Sequence, residues 1–160
     1  MQPVTIICVG RLKDAFFEEA SAEYLKRLKP YAKMNTVEIK QAPLSEAPSQ
    51  TEIDRALEAE GAEIIRKIPP NSTVIAMCIE GKQFSSEDFS RVFTEAALSG
   101  RAGVTFVIGG SCGLSERVKR MADIKMSMSK MTFPHRLARI MLLEQIYRAF
   151  KIASGEKYHK

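Results

Sequence analysis

The sequence predicts a single-domain α/β fold: a mainly parallel sheet flanked by helices. Three observations carry this. Short continuous apolar runs, such as residues 4–9 and 104–108, suit strands buried on both faces. Stretches of helical spacing lie between such runs, the alternation expected of a parallel sheet. The length of 160 residues allows one domain with a real core, burying roughly 70% of the surface its unfolded chain exposes. No repeat or low-complexity tract marks a second unit, so residues 1–160 are read as one domain.

The first strand is Val4 to Val9, stopped by Gly10. Phe17, Ala20, Tyr24 and Leu28 recur at helical spacing and predict a helix over 14–28, closed by Pro30. Residues 37–39 read as a second strand. Residues 41–50 hold two prolines and two serines and read as a mobile loop. A polar helix follows over 51–68 and stops at Pro69 and Pro70. The third strand is 73–79, with a turn at Glu80, Gly81 and Lys82. Ser85 and Ser86 are cap candidates for a helix to Leu98. The fourth strand, 104–108, runs directly into Gly109 and Gly110.

A short helix over 115–121 and a fifth strand over 124–127 come next. The last helix begins at Pro134, whose fixed φ suits a first helical position, and ends near Gly155. Leu137, Ile140, Met141, Leu142, Leu143, Ile146, Tyr147, Phe150 and Ile152 spread around more than one face of that helix. A helix apolar on several sides is buried on several sides. It is expected to pack against the sheet and against a partner subunit.

Composition narrows the function classes. Cys8, Cys78 and Cys112 are odd in number and far apart, so a disulfide framework is not expected. They and the two histidines, His135 and His159, show no close ligand pair, and no metal site is expected. No apolar stretch approaches the roughly 20 residues of a membrane span. The apolar start lacks a basic leader and cleavage pattern, so it reads as a strand and the protein as cytoplasmic. The net charge of +5 conceals an asymmetry. Residues 1–80 carry 10 Lys/Arg against 12 Asp/Glu, whereas residues 101–160 carry 12 against 4. Concentrated positive charge is the footprint of a protein that meets a polyanion.

Three segments could carry chemistry. Val107, Ile108, Gly109, Gly110, Ser111, Cys112, Gly113 and Leu114 place glycines at the carboxyl end of a strand, where a ligand can approach backbone or the chain can simply turn. The spacing matches neither the dinucleotide fingerprint nor the P-loop. Residues 127–135 join a short strand to a helix start and offer hydroxyls, thioethers and backbone amides. They suit either an adenine pocket or a capping loop with buried methionines. The tail, with Tyr158 and His159, reads as a frayed end or as a group that stacks on a nucleobase.

These residues carry a family resemblance. Val9-Gly10-Arg11-Leu12-Lys13, the 107–114 segment, Ser127 to His135, then Leu143-Glu144-Gln145, Tyr147-Arg148-Ala149-Phe150 and Tyr158-His159 closely resemble the RlmH family. These are large-subunit ribosomal RNA pseudouridine methyltransferases of the SPOUT superfamily. The likeness covers essentially the whole chain. It implies a SPOUT fold whose C-terminal part is threaded as a trefoil knot, a homodimer, and S-adenosylmethionine bound in the knot. It implies methylation of ring nitrogen 3 of a pseudouridine in 23S rRNA of the assembled ribosome. By position, Met77 walls the adenosine, Gly109 gives close backbone approach, and Met128, Ser129, Lys130, Met131, Thr132 and Phe133 wrap adenine and ribose.

Methyl transfer from a sulfonium depends on positioning, and the imide nitrogen must lose its proton. A positive field from Arg136, Arg139, Arg148 or the tail favours that anion. Tyr158, His159 and Arg139 are the catalytic candidates, with His159 or Glu144 as proton acceptor. Tyr158 and His159 are expected to cover the target base of the other protomer. Two other classes stand beside this one: a ribosome-binding assembly factor without catalysis, and a small-molecule enzyme with a nucleotide cofactor. A Cys112–His135 hydrolase lacks an evident third orienting group.

Overall fold

The computed structural model describes residues 1–160. In chain order the elements are β1 (Gln2–Val9), α1 (Ala15–Leu28), β2 (Ala32–Ile39), α2 (Gln50–Lys67), β3 (Ser72–Gln83), α3 (Ser86–Leu98), β4 (Gly103–Ile108), α4 (Glu116–Met121), β5 (Ile124–Ser127) and α5 (His135–Ala153). The five strands form one parallel sheet in the order β2-β1-β4-β3-β5. Strand β4 fills the slot between β1 and β3, and the next crossover carries the chain over β3 to its far edge. No helix is long and apolar enough to cross a membrane.

Alternation along the strands divides the core in two. Val4, Ile6 and Cys8 of β1 join Phe106 and Ile108 of β4 in one layer with α1, α3 and α5. Ile7, Val9 and Val107 face the other way, against Ile64 of α2 and Val118 of α4. All six residues of β4 are buried, so its run has no polar face, as a central parallel strand requires. Each fully buried aliphatic or aromatic side chain contributes about 1.5–3 kcal/mol. Thr105, the polar exception, is satisfied by the Ser72 hydroxyl at 2.5 Å.

The sequence-based elements stand with three adjustments. Strand β2 begins at Ala32, earlier than its apolar residues announce, because an edge strand needs burial only at alternate positions. The expected turn at Glu80 to Lys82 lies within β3. The register slips between Met77 and Lys82, both opposite Met126, so Cys78 to Gly81 bulge outward and pairing resumes. Pro134 is the cap residue, with ψ of 140°, and the helix starts at His135. The 41–50 loop is tethered: Ala42 N–H donates to buried Glu60 at 3.2 Å, and Ser45 donates twice to Glu52, at 3.1 and 2.7 Å.

Candidate active site

The carboxyl ends of β1 and β4 are level with Met77, where β3 enters its bulge: Cys8 lies opposite Ile108 and Ile108 opposite Met77. The chain segments leaving them therefore gather at one rim, the side on which open parallel sheets bind ligands. A cavity of about 820 Å³ opens there. Its wall comes from the β3 bulge, the end of β4 and the loop after it, α4, the segment joining β5 to α5, and the first turn of α5.

Local chemistry explains each wall. After β4 the chain doubles back on itself: Gly113 N–H donates to Gly110 C=O at 3.1 Å, and Gly113 has φ of +81°. A Cβ on Gly109 would lie 2.3 Å from the Gly113 carbonyl oxygen, so only glycine fits. Ser115 then caps α4 by accepting from Val118 N–H at 3.2 Å. On the other side β5 passes so near Gly81 that a Cβ there would meet the Met126 backbone at 2.5 Å. The following loop braces itself, Ser127 Oγ donating to Ser129 C=O at 2.9 Å and Met131 N–H to Ser129 Oγ at 3.1 Å.

Most of the cofactor candidates meet at this cavity. Met77, Gly109, Met128, Ser129, Met131, Thr132 and Phe133 all line it, whereas Lys130 is exposed and outside the wall. Cys112 and His135 also line it, with no hydrogen bond between them. His135 has its pKa lowered by burial and then by the neighbouring Arg136 charge, so it favours the neutral imidazole.

The three catalytic candidates lie elsewhere in the same chain. Arg139 is buried and bonds Glu38 of β2 at 3.0 Å. It lies close enough to Cys8 to oppose slightly the burial that lifts that thiol to about 11. Tyr158 and His159 are fixed to the far half of α5. The Tyr158 hydroxyl donates to Glu144 at 3.1 Å, its ring lies under the Arg148 guanidinium at 4.8 Å, and its edge meets Tyr147 at 4.9 Å. Burial and then the Glu144 carboxylate raise the Tyr158 pKa, keeping the phenol protonated. His159 joins Arg148 at 3.3 Å and Glu87 at 2.8 Å. The tail is thus held in place, not frayed. Its anchor Arg148 is 13 residues along α5 from His135, about 20 Å at 1.5 Å per residue.

Sequence reasoning missed Glu87, Glu80 and Lys119. Glu87 comes from α3 and meets the tail only through tertiary packing, without a periodic signal. Lys119 of α4 lines the cavity and bridges Glu80 at 2.5 Å and Glu116 at 3.4 Å. The Lys119–Glu116 spacing was legible as a helical pair, but nothing in the sequence links positions 80 and 119.

Comparison with known proteins converges on one family. A family profile described as Predicted SPOUT methyltransferase matches residues 2–159. A protein named Ribosomal RNA large subunit methyltransferase H from Carboxydothermus hydrogenoformans is 48% identical over 157 residues, which cover 98% of this chain and 99% of that one. Proteins of the same name from Pelotomaculum thermopropionicum and Clostridium acetobutylicum are each 46% identical, over 98% of this chain and 98% and 99% of their own. The solved structure of a probable methylase family protein from Haemophilus influenzae Rd KW20 aligns with a TM-score of 0.53 at 12% identity. That alignment covers 98% of this chain and 70% of the other, a likeness of fold alone.

Proposed function

Because this chain belongs to the SPOUT methyltransferase family, we propose that it methylates ring nitrogen 3 of a pseudouridine in 23S rRNA on the assembled ribosome, using S-adenosylmethionine. The observation that carries this reading is the cavity at the strand ends. Its volume of about 820 Å³ falls in the range of small-molecule sites. Thioethers of Met77, Met128 and Met131 and the Phe133 ring supply apolar surface for a purine, and Ser129 and Thr132 supply hydroxyls for its sugar. Gly109 lines the same cavity, and its missing Cβ makes room for the Gly113 carbonyl that shapes the wall. Lys130 faces solvent on the same loop and suits an RNA phosphate better than the cofactor. The knot belongs to this reading.

Bound in the cavity, S-adenosylmethionine would supply an electrophilic methyl on a sulfonium whose C–S bonding pair stays with the sulfur. The chain's part is to orient the base and take its N3 proton. Glu144 and His159 are the available acceptors, and Arg148 between them stabilises the imide anion. Arg139 reads as a strut that ties α5 to β2, because its charge is already matched by Glu38. The tail lies too far from its own cavity to serve it, so the reading requires a homodimer in which each tail completes the partner's site. The half-buried Ile140 and Met141 and the exposed Leu137 leave apolar surface on α5 for such a partner. The cytoplasm, where ribosomes assemble, is the compartment that this substrate implies.

The test is methyl transfer from radiolabelled S-adenosylmethionine to ribosomes that lack the modification, with mapping of the labelled nucleotide. Label on a 23S pseudouridine is expected, falling steeply with salt as phosphate contacts weaken. Cofactor binding without label on the ribosome would overturn the substrate.

A further inference from the structure

The cavity wall contains two charged side chains, Lys119 and Glu80, of opposite sign and from different elements. The remaining lining is apolar, hydroxylic, thiol or glycine, apart from the His135 imidazole. Lys119 Nζ stands 2.5 Å from Glu80 and 3.4 Å from Glu116. The lysine side chain is 17% exposed and Glu80 51%, so the cation is fixed in the wall while the carboxylate reaches solvent and is free to turn. A cation held in the wall beside a carboxylate that can turn away invites a ligand end that carries both signs, since a lone charge set against apolar lining is costly to desolvate.

Resting on the donor proposed above, we infer that this pair grips the amino-acid end of the methyl donor, Lys119 taking its α-carboxylate and Glu80 its α-ammonium. The adenosine end has its thioether and hydroxyl walls, but the opposite end is a zwitterion for which those walls offer no counter-charge. Insertion between Lys119 and Glu80 makes an alternating row of charges: Glu116, Lys119, ligand carboxylate, ligand ammonium, Glu80. Lys119 keeps Glu116 throughout, and the zwitterionic end itself adds no net charge to the pair. The pair therefore distinguishes donors and products with an amino-acid tail from nucleosides without one.

The experiment is calorimetric binding of S-adenosylhomocysteine and of 5′-methylthioadenosine, which share nucleoside and thioether but differ in the amino-acid end. The unaltered protein is expected to prefer S-adenosylhomocysteine. Lys119→Ala is expected to weaken S-adenosylhomocysteine about tenfold, the loss of one charge-assisted hydrogen bond, and leave methylthioadenosine within about twofold. Lys119→Arg should restore most of the preference, and Glu80→Gln should reduce it without affecting methylthioadenosine. Equal weakening of both ligands by Lys119→Ala would make the lysine a structural part of the wall and overturn the inference. So would no change, or equal affinities in the unaltered protein, while leaving the donor reading standing. Failure of both ligands to bind the unaltered protein would remove the donor reading and this inference together.

Discussion

Alanine at Gly109 tests whether the loop after β4 is held by backbone contact alone. The added Cβ would stand 2.3 Å from the Gly113 oxygen, 2.5 Å from its carbonyl carbon and 3.1 Å from its Cα. Ordinary contact begins at 3.4 Å, so one backbone must retreat by about 1 Å. Neither side yields easily: Gly109 directly follows buried β4, and Gly113 is bonded to Gly110. Overpacking of this kind costs about 1–3 kcal/mol. At about 2 kcal/mol a domain of this size loses about 4–8 °C in Tm. The same retreat moves a cavity wall, and a 1 Å misplacement is enough for a loss of roughly 100-fold in rate. Differential scanning calorimetry reads the first effect, methyl transfer to ribosomes the second, and titration with S-adenosylhomocysteine the shift of the wall itself. Gly100→Ala is the control: its φ of +74° makes alanine strained, but nothing lies within 4 Å, so Tm falls while binding holds. A Gly109→Ala protein with unchanged Tm and unchanged affinity would refute the reasoning.

Thiol labelling should follow exposure and site. Iodoacetamide is expected to modify exposed Cys112 first and half-buried Cys78 more slowly, while Cys8, buried and lifted to about 11, reacts only on unfolding. S-adenosylhomocysteine should protect Cys112 and Cys78, which line the cavity, and labelling of Cys112 indifferent to that ligand would count against the site. His135 gives a pH signature. Its folded pKa lies below the usual value near 6.5, so between the two the unfolded chain binds more protons. Stability is then full above about pH 6.5 and declines as pH falls toward the folded pKa. The Tm of the unaltered protein should fall relative to His135→Gln from about pH 7.5 to 5, and parallel curves would exclude burial of this imidazole.

The sheet was legible because its central strands are buried on both faces: β1 and β4 carry unbroken apolar runs that no surface helix needs. Edge strand β2 hid half its length in an alternating sequence, and the β3 bulge looked like a turn because Glu80, Gly81 and Lys82 have turn composition. What made Gly81 necessary is β5, 45 residues later, and single-sequence spacing contains no such information. The same distinction holds at the site. The wall residues of 107–114 and 127–135 are contiguous, so their composition could announce a pocket. The pairs Glu80–Lys119 and Glu87–His159 are assembled only by the crossover that carries β5 beside β3 and by the packing of α5 on α3. Family likeness supplied the role proposed for the tail; composition alone favoured a frayed end, whereas the structure holds it on Glu144, Arg148 and Glu87.

Helix α5 connects these two halves and dictates how they can cooperate. It is 19 residues, about 28 Å, with His135 in the cavity wall at one end and the Tyr158 anchors Glu144 and Arg148 toward the other. A helix packed between α1 and α3 does not shorten, so a chain's own tail cannot cover its own cavity without unpacking. In a two-fold dimer the same patch meets itself, and a tail on one copy can face the cavity of the other. Two defective chains separate the alternatives: one truncated after Lys157, and one with a full tail but Gly109→Ala in the cavity wall. Each alone should fail to methylate ribosomes. Mixed at equal amounts, random pairing gives half mixed dimers, each with one complete site, and so about a quarter of the unaltered activity. Within a mixed dimer the complete site joins the truncated copy's cavity to the other copy's tail. If each tail served its own chain, neither copy would hold both parts, and the mixture would stay inactive.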